Sequence, residues 1–98
     1  MLLAHAVTLA EARSHVAALA DGAHTSDASA DYERVLLQLD WLYGDFIPGI
    51  SPVLIEERDL MFGIAETAIE NLVEHGVDPL QVELVLVILD AARAIDVP

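Results

Sequence analysis

Five carboxylates fall on one line if the segment from residue 56 to residue 74 is helical. They follow one another at spacings of three, seven, four and four residues, and at 100° per residue they share a sector of about 80°. Carboxylates in such a row can contact the basic side chains of a partner protein. The members of this acidic ridge are Glu56, Asp59, Glu66, Glu70 and Glu74.

Gly63 fills the gap between Asp59 and Glu66 on the same projected face. A glycine inside a helix costs up to about 1 kcal/mol relative to alanine. The position therefore favours either close packing within the protein or close approach by the backbone of a partner. No Lys or Arg shares the face of the ridge, so its carboxylates repel one another without compensation. The ridge, like Gly63, therefore has two interpretations. It is either a solvated surface or a surface that contacts Lys and Arg of another protein.

Metal and catalytic chemistry have little support in the sequence. The histidines are scattered over three segments, and Glu11 with His15 supplies at most two ligands or a helix-stabilising pair. There is no Cys, no Glu-x-x-His pair and no Gly-rich phosphate loop with a Lys. We expect no metal, no cofactor and no enzymatic activity, with a helical metal-dependent enzyme as the minor alternative.

Charge narrows the class of partner. Seventeen acidic residues oppose four arginines and no lysine, which gives a formal net charge of −13. Such a chain repels nucleic acid and anionic lipid, so we expect a basic protein partner, no nucleic acid and no membrane. An Ala-, Asp- and Arg-rich chain without Lys is also typical of a GC-rich bacterial or haloarchaeal genome, and part of the acidity could be an organism-wide bias.

Hydrophobic content indicates a folded domain. The chain is 55% hydrophobic over 98 residues, which suits a single domain covering residues 1–98 and argues against disorder. No signal-peptide pattern opens the chain, and the apolar run from Leu84 to Leu89 is far shorter than the roughly 20 residues of a membrane span. Together with the lack of Cys, these features predict a cytoplasmic protein.

Helix signals occur throughout the chain. Thr8 and Glu11 form a possible capping box for a first helix that ends near Asp21, and residues 2–7 either extend that helix or precede it. Residues 23–29 are small and polar and predict a loop, with Asp27 and Ser29 as candidate N-caps. A second helix is expected over residues 30–45, with an apolar face formed by Val35, Leu39, Leu42 and Phe46.

The second half of the chain predicts two more helices. Pro48 and Gly49 suit a type II turn, and Ser51-Pro52 then opens a third helix that reaches His75, with a break near Glu56 as an alternative. Asp78 caps a fourth helix that runs from Pro79 to about Ile95. The expected fold is all-α, a compact four-helix bundle or a close variant.

The fourth helix has more apolar circumference than a peripheral bundle helix needs. It is either central in the fold or shared with a second chain, so a homodimer sharing the C-terminal helix is one expectation. The candidate oligomer-interface residues are Val82, Val85, Leu86 and Leu89.

An aromatic patch is predicted on the second helix. Trp41 and Leu37 do not project with the apolar face; they fall near Arg34 on a partly polar face. A Trp flanked by Arg is typical of an interface hot spot, whereas ordinary burial is the alternative. We name Arg34, Leu37 and Trp41 the aromatic patch.

Residues 7–21 resemble the opening helix of Phd-type antitoxins, in which a Thr- or Ser-capped helix follows a short strand. The similarity covers Val7-Thr8-Leu9-Ala10-Glu11-Ala12-Arg13 and continues to Asp21. Residues 23–29 depart from the family, because a loop and another helix replace the expected strand and Gly hairpin. The general character is similar to that of nuclease immunity proteins.

These observations predict a small acidic helical module that neutralises or escorts a basic protein, as an inhibitor, immunity protein or antitoxin does. The acidic ridge with Gly63 and the aromatic patch are the predicted partner-binding residues. The alternative is a structural or assembly homo-oligomer whose acidic exterior keeps it soluble.

Overall fold

A computed structural model describes residues 3–43 and 49–98. Within these residues the chain is a four-helix bundle with no strand, which confirms the predicted all-α fold. Helix α3 continues directly into a 3-10 helix, Leu72–His75. The α-helices are α1 (Leu3–Asp21), α2 (Ser26–Tyr43), α3 (Arg58–Asn71) and α4 (Pro79–Ile95).

The first two helices begin earlier than the predicted caps. Helix α1 includes Leu3, so a helix start at Thr8 is wrong and residues from 3 onwards extend the helix; Leu and Ala there favour helix and nothing breaks it. The predicted loop over residues 23–29 is also too long. The side chain of Thr25 accepts a hydrogen bond from the backbone N–H of Ala28 at 3.0 Å, so Thr25, and not Asp27 or Ser29, caps α2.

The third helix begins at Arg58, so the prediction of a start at Ser51-Pro52 is wrong. Residues 49–57 are not helical, and alternate side chains of this segment, Val53 and Ile55, pack against the core. The backbone N–H of Ser51 donates to the Ser14 hydroxyl at 3.0 Å. Burying alternate apolar side chains against α1 outweighs the local Ser-Pro helix signal.

The ends of the last two helices follow the predicted signals. Gly76 closes the 3-10 helix with a φ of 95°, a left-handed conformation that favours glycine. The Asp78 carboxylate accepts from the backbone N–H of Leu80 at 2.8 Å, and Pro79 occupies the first turn of α4. Both predicted caps and the extent of α4 are confirmed. The predicted turn at Pro48 and the apolar contact of Phe46 lie outside the described residues.

Each helix packs against two neighbours, in the order α1, α2, α4, α3 around the bundle. Arg58, at the start of α3, donates to the carbonyl of Leu19 near the end of α1 at 2.8 Å. Asp96, just after α4, accepts from the backbone N–H of His24 between α1 and α2 at 2.8 Å. Neighbouring helices are therefore antiparallel, and α1 and α4 run parallel on a diagonal.

The core contains one apolar stripe from each helix, joined by side chains of residues 49–57. Tyr32, Val35 and Leu39 form the buried stripe of α2, and Leu42 is half-buried. Their spacing of three to four residues is the period that puts side chains on one helix face. No helix in the described residues is both long enough and apolar enough to cross a membrane.

Candidate protein-interaction surface

The acidic ridge is shorter than the sequence predicts. Asp59, Glu66 and Glu70 lie on α3, but Glu56 precedes the helix, so the single line of five carboxylates is wrong at its first member. Glu74 lies on the 3-10 helix, whose period of three residues per turn rotates it away from the α-helical projection. In the described residues no ion pair involves Glu66, Glu70 or Glu74, and no hydrogen bond offsets the charge of these side chains.

The helical part of the ridge borders α4. Arg93 of α4 lies 3.4 Å from Asp59 and stacks 4.4 Å from the ring centroid of Phe62. This contact marks the sides of α3 and α4 that face each other. Because the two helices are antiparallel, pairing Arg93 with Asp59 puts Glu83 of α4 about level with Glu70. The outer surface between α3 and α4 is thus strongly acidic.

Gly63 lies in open space. A methyl group added at its Cα would have no heavy atom within 4 Å beyond its own helix. Close packing inside the bundle, one of the two explanations for this glycine, is therefore not what the described residues show. The other explanation, approach by a partner backbone, is compatible with the open surface.

The aromatic patch is exposed on the outward face of α2, opposite the buried stripe of that helix. Trp41 is 81% exposed and Leu37 is 61% exposed, so ordinary burial of Trp41 is excluded within the chain. Arg34 is exposed and pairs only loosely with Asp31, at 3.6 Å one turn away. An exposed Trp and Leu beside an Arg have the composition of an interface.

Helix α4 has two apolar faces with different environments. Val82, Val85 and Leu89, predicted as oligomer-interface residues, are buried in the core of the single chain, and Leu86 is half-buried. The exposed apolar face is the opposite one, which we call the outer face of α4. Its residues are Leu80, Leu84, Val87, Ala91 and Ile95.

Sequence inspection missed the outer face of α4, although its spacing of four, three, four and four residues was readable. Two apolar stripes share this helix, and only the packing shows which stripe the chain itself buries. Leu80 is 73% exposed, Val87 58% and Leu84 48%, so these side chains form a continuous apolar strip in water. Strips of this kind mark interaction sites in folded proteins.

Trp41 on α2 and Leu84 on α4 are each displaced from the outward direction of their helix towards the other helix. On α2, Asp40 contacts Arg13 of α1 at 3.0 Å and so marks the side of α2 that faces α1. Trp41, one residue and 100° further on, lies towards α4. On α4, Leu84 lies on the side away from Arg93 and therefore towards α2. Because α2 and α4 are antiparallel and Thr25 contacts the carbonyl of Ile95, Trp41 lies about level with the first turn of α4, at the Leu80 end of the outer face. Carboxylates border the outer face on the α3 side.

A buried charge cluster fixes the end of the bundle where α4 stops. Arg58 donates twice to Asp96, through Nε at 3.1 Å and Nη2 at 2.6 Å, and Nη2 also donates to the carbonyl of Leu19 at 2.8 Å. The Tyr32 hydroxyl donates to the same carboxylate at 3.0 Å, and the backbone N–H of His24 donates to its other oxygen. Asp96, which follows α4, is thus bonded directly to α2, to α3 and to the segment between α1 and α2, and is linked to α1 through Arg58.

This environment controls the protonation of the cluster. Burial alone would raise the pKa of Asp96, but hydrogen bonds from the His24 backbone, Arg58 and Tyr32 outweigh it and lower the pKa to about 2. Burial and the hydrogen bond to Asp96 raise the pKa of Tyr32 to about 12. The carboxylate stays charged and the phenol stays neutral at ordinary pH, as expected for a cluster that holds elements in place.

The described residues offer little for metal or acid–base chemistry. No group of three or more His, Asp or Glu side chains among them is placed to hold a metal ion. His15 lies 2.7 Å from the backbone carbonyl of Glu11, so its ring contacts the main chain of that residue and not its carboxylate. His5 stacks on His75 at a ring-centroid distance of 5.3 Å, and burial lowers the pKa of His5, with a further contribution from His75.

Comparison with known proteins gives no relative from which a role could be transferred. No protein-family model, no curated protein and no solved structure matches the chain. The inference of function therefore depends on the surfaces of the chain itself.

Proposed function

We propose that this chain is a small acidic protein-binding module of the cytoplasm that neutralises or escorts a basic protein, as an inhibitor, immunity protein or antitoxin does. The proposed role is binding, with no catalytic step. The observation that carries the proposal is the exposure of Trp41 on α2, together with the exposed outer face of the neighbouring helix α4 and the carboxylates of α3 beside that face. Water-exposed aromatic and apolar side chains beside uncompensated charge favour a protein interface.

Charge supports a basic partner. Each of the four arginines already pairs with an aspartate, namely Asp40, Asp31, Asp96 and Asp59. The ridge glutamates are left as acceptors for Lys and Arg of another protein. Opposite charge across an interface raises the association rate at low salt, and like charge excludes acidic competitors.

The test is capture of basic proteins from lysate of the source cell by the immobilised chain, followed by affinity measurements with the purified partner. The double variant Glu66→Lys, Glu70→Lys should bind about tenfold or more weakly at low salt, and the difference should shrink as salt rises. Trp41→Ala should weaken binding at all salt concentrations, by about 2 kcal/mol if Trp41 is a hot spot.

A matched control separates local contact from total charge. Glu11→Lys, Asp21→Lys changes the charge by the same amount at two exposed positions on α1, the helix diagonal to α4, and should leave affinity nearly intact. Circular dichroism and denaturation should show both double variants folded. Equal binding by the ridge variant and the wild-type chain across a salt titration would remove the electrostatic part of the proposal.

Self-assembly through the outer face of α4 is a second candidate, favoured by the exposure of Leu80, Leu84 and Val87. In that case the chain would be a structural or assembly homo-oligomer with an acidic exterior. Sedimentation velocity of the purified chain tests it. A stable monomer at high concentration contradicts the candidate, whereas a dimer that Leu84→Gln, Val87→Gln converts to monomers supports it.

A further inference from the structure

We infer that the outer face of α4 is the docking site for an amphipathic helix of the basic partner, an inference that rests on the proposed function. The outer face has the spacing of a coiled-coil seam. Leu80, Leu84, Val87 and Ala91 alternate in steps of four, three and four residues, and Ala94 continues the pattern. The opposite stripe of the same helix, which includes Val85, is buried in the core.

The backbone of α4 favours a helical partner over a strand. Its N–H and C=O groups are used within the helix, so the outer face offers side chains and no open row of backbone donors for strand addition. The described residues contain no sheet edge either. A row of apolar side chains at helical spacing is the pattern that holds another helix by packing of side chains.

The borders of the outer face determine the charge of that partner helix. In heptad terms, Glu83 and Asp90 occupy the flanking positions on the α3 side, where Glu66 and Glu70 also lie. On the α2 side the flanking positions of α4 carry no charge; they are Gln81, half-buried Ile88 and Ile95. A partner helix along this seam therefore meets carboxylates of α3 and α4 on one edge and uncharged side chains of α4 on the other. Lys or Arg along one edge of its apolar stripe would complement both.

A second copy of this chain fits the same face poorly. In an antiparallel pair of α4 helices the acidic flanks face each other, which brings Glu83 of one copy against Asp90 of the other. In a parallel pair Asp90 faces an apolar flanking position, Ile88 or Ile95. Each copy also carries a formal charge of −13, so association of two copies works against long-range repulsion. Charge complementarity selects the basic helix.

A pair of synthetic peptides tests the inference directly. Each has about three heptads, long enough to cover α4, with Leu at both seam positions and either Lys or Glu at all flanking positions. Neither contains Trp, and Trp41 is the only tryptophan of the chain, so its fluorescence reports a peptide that reaches the first turn of α4. We expect the Lys peptide to bind and shift Trp41 emission to shorter wavelength, and the Glu peptide to bind at least about tenfold more weakly at low salt.

Two variants divide the surface into seam and border. Leu84→Gln, Val87→Gln keeps the net charge and should weaken the Lys peptide by about thirtyfold, the size of a hot-spot loss. Glu83→Lys, Asp90→Lys keeps the seam and should weaken it by about tenfold at low salt only. The control Leu54→Gln, Leu60→Gln removes two exposed leucines away from α4 and should bind like the wild-type chain.

The outcomes separate this inference from the proposed function. Equal binding of the Lys peptide to the wild-type chain and the seam variant overturns the docking site, as does a dimer that the seam variant abolishes. If the natural partner requires Glu66 and Glu70 but binds the seam variant as well as the wild-type chain, the helix inference is overturned. The proposed function is then still supported. If the Lys peptide binds the wild-type chain and the seam variant binds it much more weakly, the docking site is supported. This holds even if the double variant Glu66→Lys, Glu70→Lys still binds the natural partner.

Discussion

Carboxylates occupy two contrasting environments in this molecule. Asp96 is only 5% exposed in its side chain and accepts hydrogen bonds from Arg58, Tyr32 and His24. Glu70 on the acidic ridge is exposed and forms no ion pair within the described residues. The same chemical group therefore joins the helices at one end of the bundle and lies without an ion pair on the outer surface that the structure describes.

The difference shows which charges stabilise the fold. A buried carboxylate is favourable only when charged and polar donors surround it, and its loss or the loss of its partner is costly. An exposed carboxylate among others of the same charge contributes little or slightly opposes folding. We therefore expect variants at the Asp96 cluster to change stability and variants on the ridge to change binding.

The largest expected effect is the loss of Arg58. Arg58→Ala removes two hydrogen bonds to Asp96 and one to the Leu19 carbonyl, leaving a buried charge with fewer partners. The free energy of unfolding should fall by about 3 kcal/mol, measured by urea denaturation. Arg34→Ala, which removes an exposed arginine, should change it by less than about 0.5 kcal/mol. If Arg58→Ala lowers the free energy of unfolding no more than Arg34→Ala does, the contrast between the buried and the exposed charges is contradicted.

Acid should weaken the cluster specifically. The pKa of Asp96 is lowered from 3.8 to about 2, so its contribution is present above pH 3.8 and disappears as pH falls from 3.8 to about 2. That contribution is about 2 kcal/mol. Comparison of the unfolding free energy of the wild-type chain and Asp96→Asn across this range isolates it, because both retain the other carboxylates. A constant difference between the two chains would show that Asp96 titrates normally.

The smallest expected effect on stability has the opposite sign and lies on the ridge face. Gly63→Ala adds a methyl group in open space inside α3, and should raise the unfolding free energy by about 0.5–1 kcal/mol. If a partner backbone approaches this position, the same variant should bind that partner more weakly. Thermal denaturation and binding measurements on one preparation give both results. A more stable variant with unchanged affinity would remove Gly63 from the contact surface.

Local signals were reliable where capping chemistry is specific. Asp78 followed by Pro79 and the glycine at position 76 predicted two helix ends that the structure confirms. The capping signals at Thr8 and Ser51 do not mark helix starts. Nothing breaks the helix before Thr8, and residues 49–57 are not helical and pack Val53 and Ile55 against the core. Tertiary packing outweighs a local preference of about 1 kcal/mol.

The candidate surface was only partly readable. The sequence pattern predicts Trp41, Glu66 and Glu70 as surface residues: Trp41 and Glu70 are exposed and Glu66 is half-buried. Glu56, by contrast, lies outside the helix that the pattern predicts for it. For α4, the pattern predicts Val85 at an oligomer interface, whereas the chain buries it in its own core. A helix with two apolar stripes does not specify in isolation which stripe faces its own core.

The amino-acid sequence by itself determined the helical class, the extent of α4, the acidity and the absence of cysteine chemistry, because these depend on composition and on contacts between near neighbours in the chain. Only the tertiary structure decided which carboxylates are paired, which face of α4 is exposed, that Trp41 is exposed, and that the acidic ridge lies beside the exposed face of α4. These properties depend on how distant segments pack, and the same helical periodicity is compatible with more than one packing.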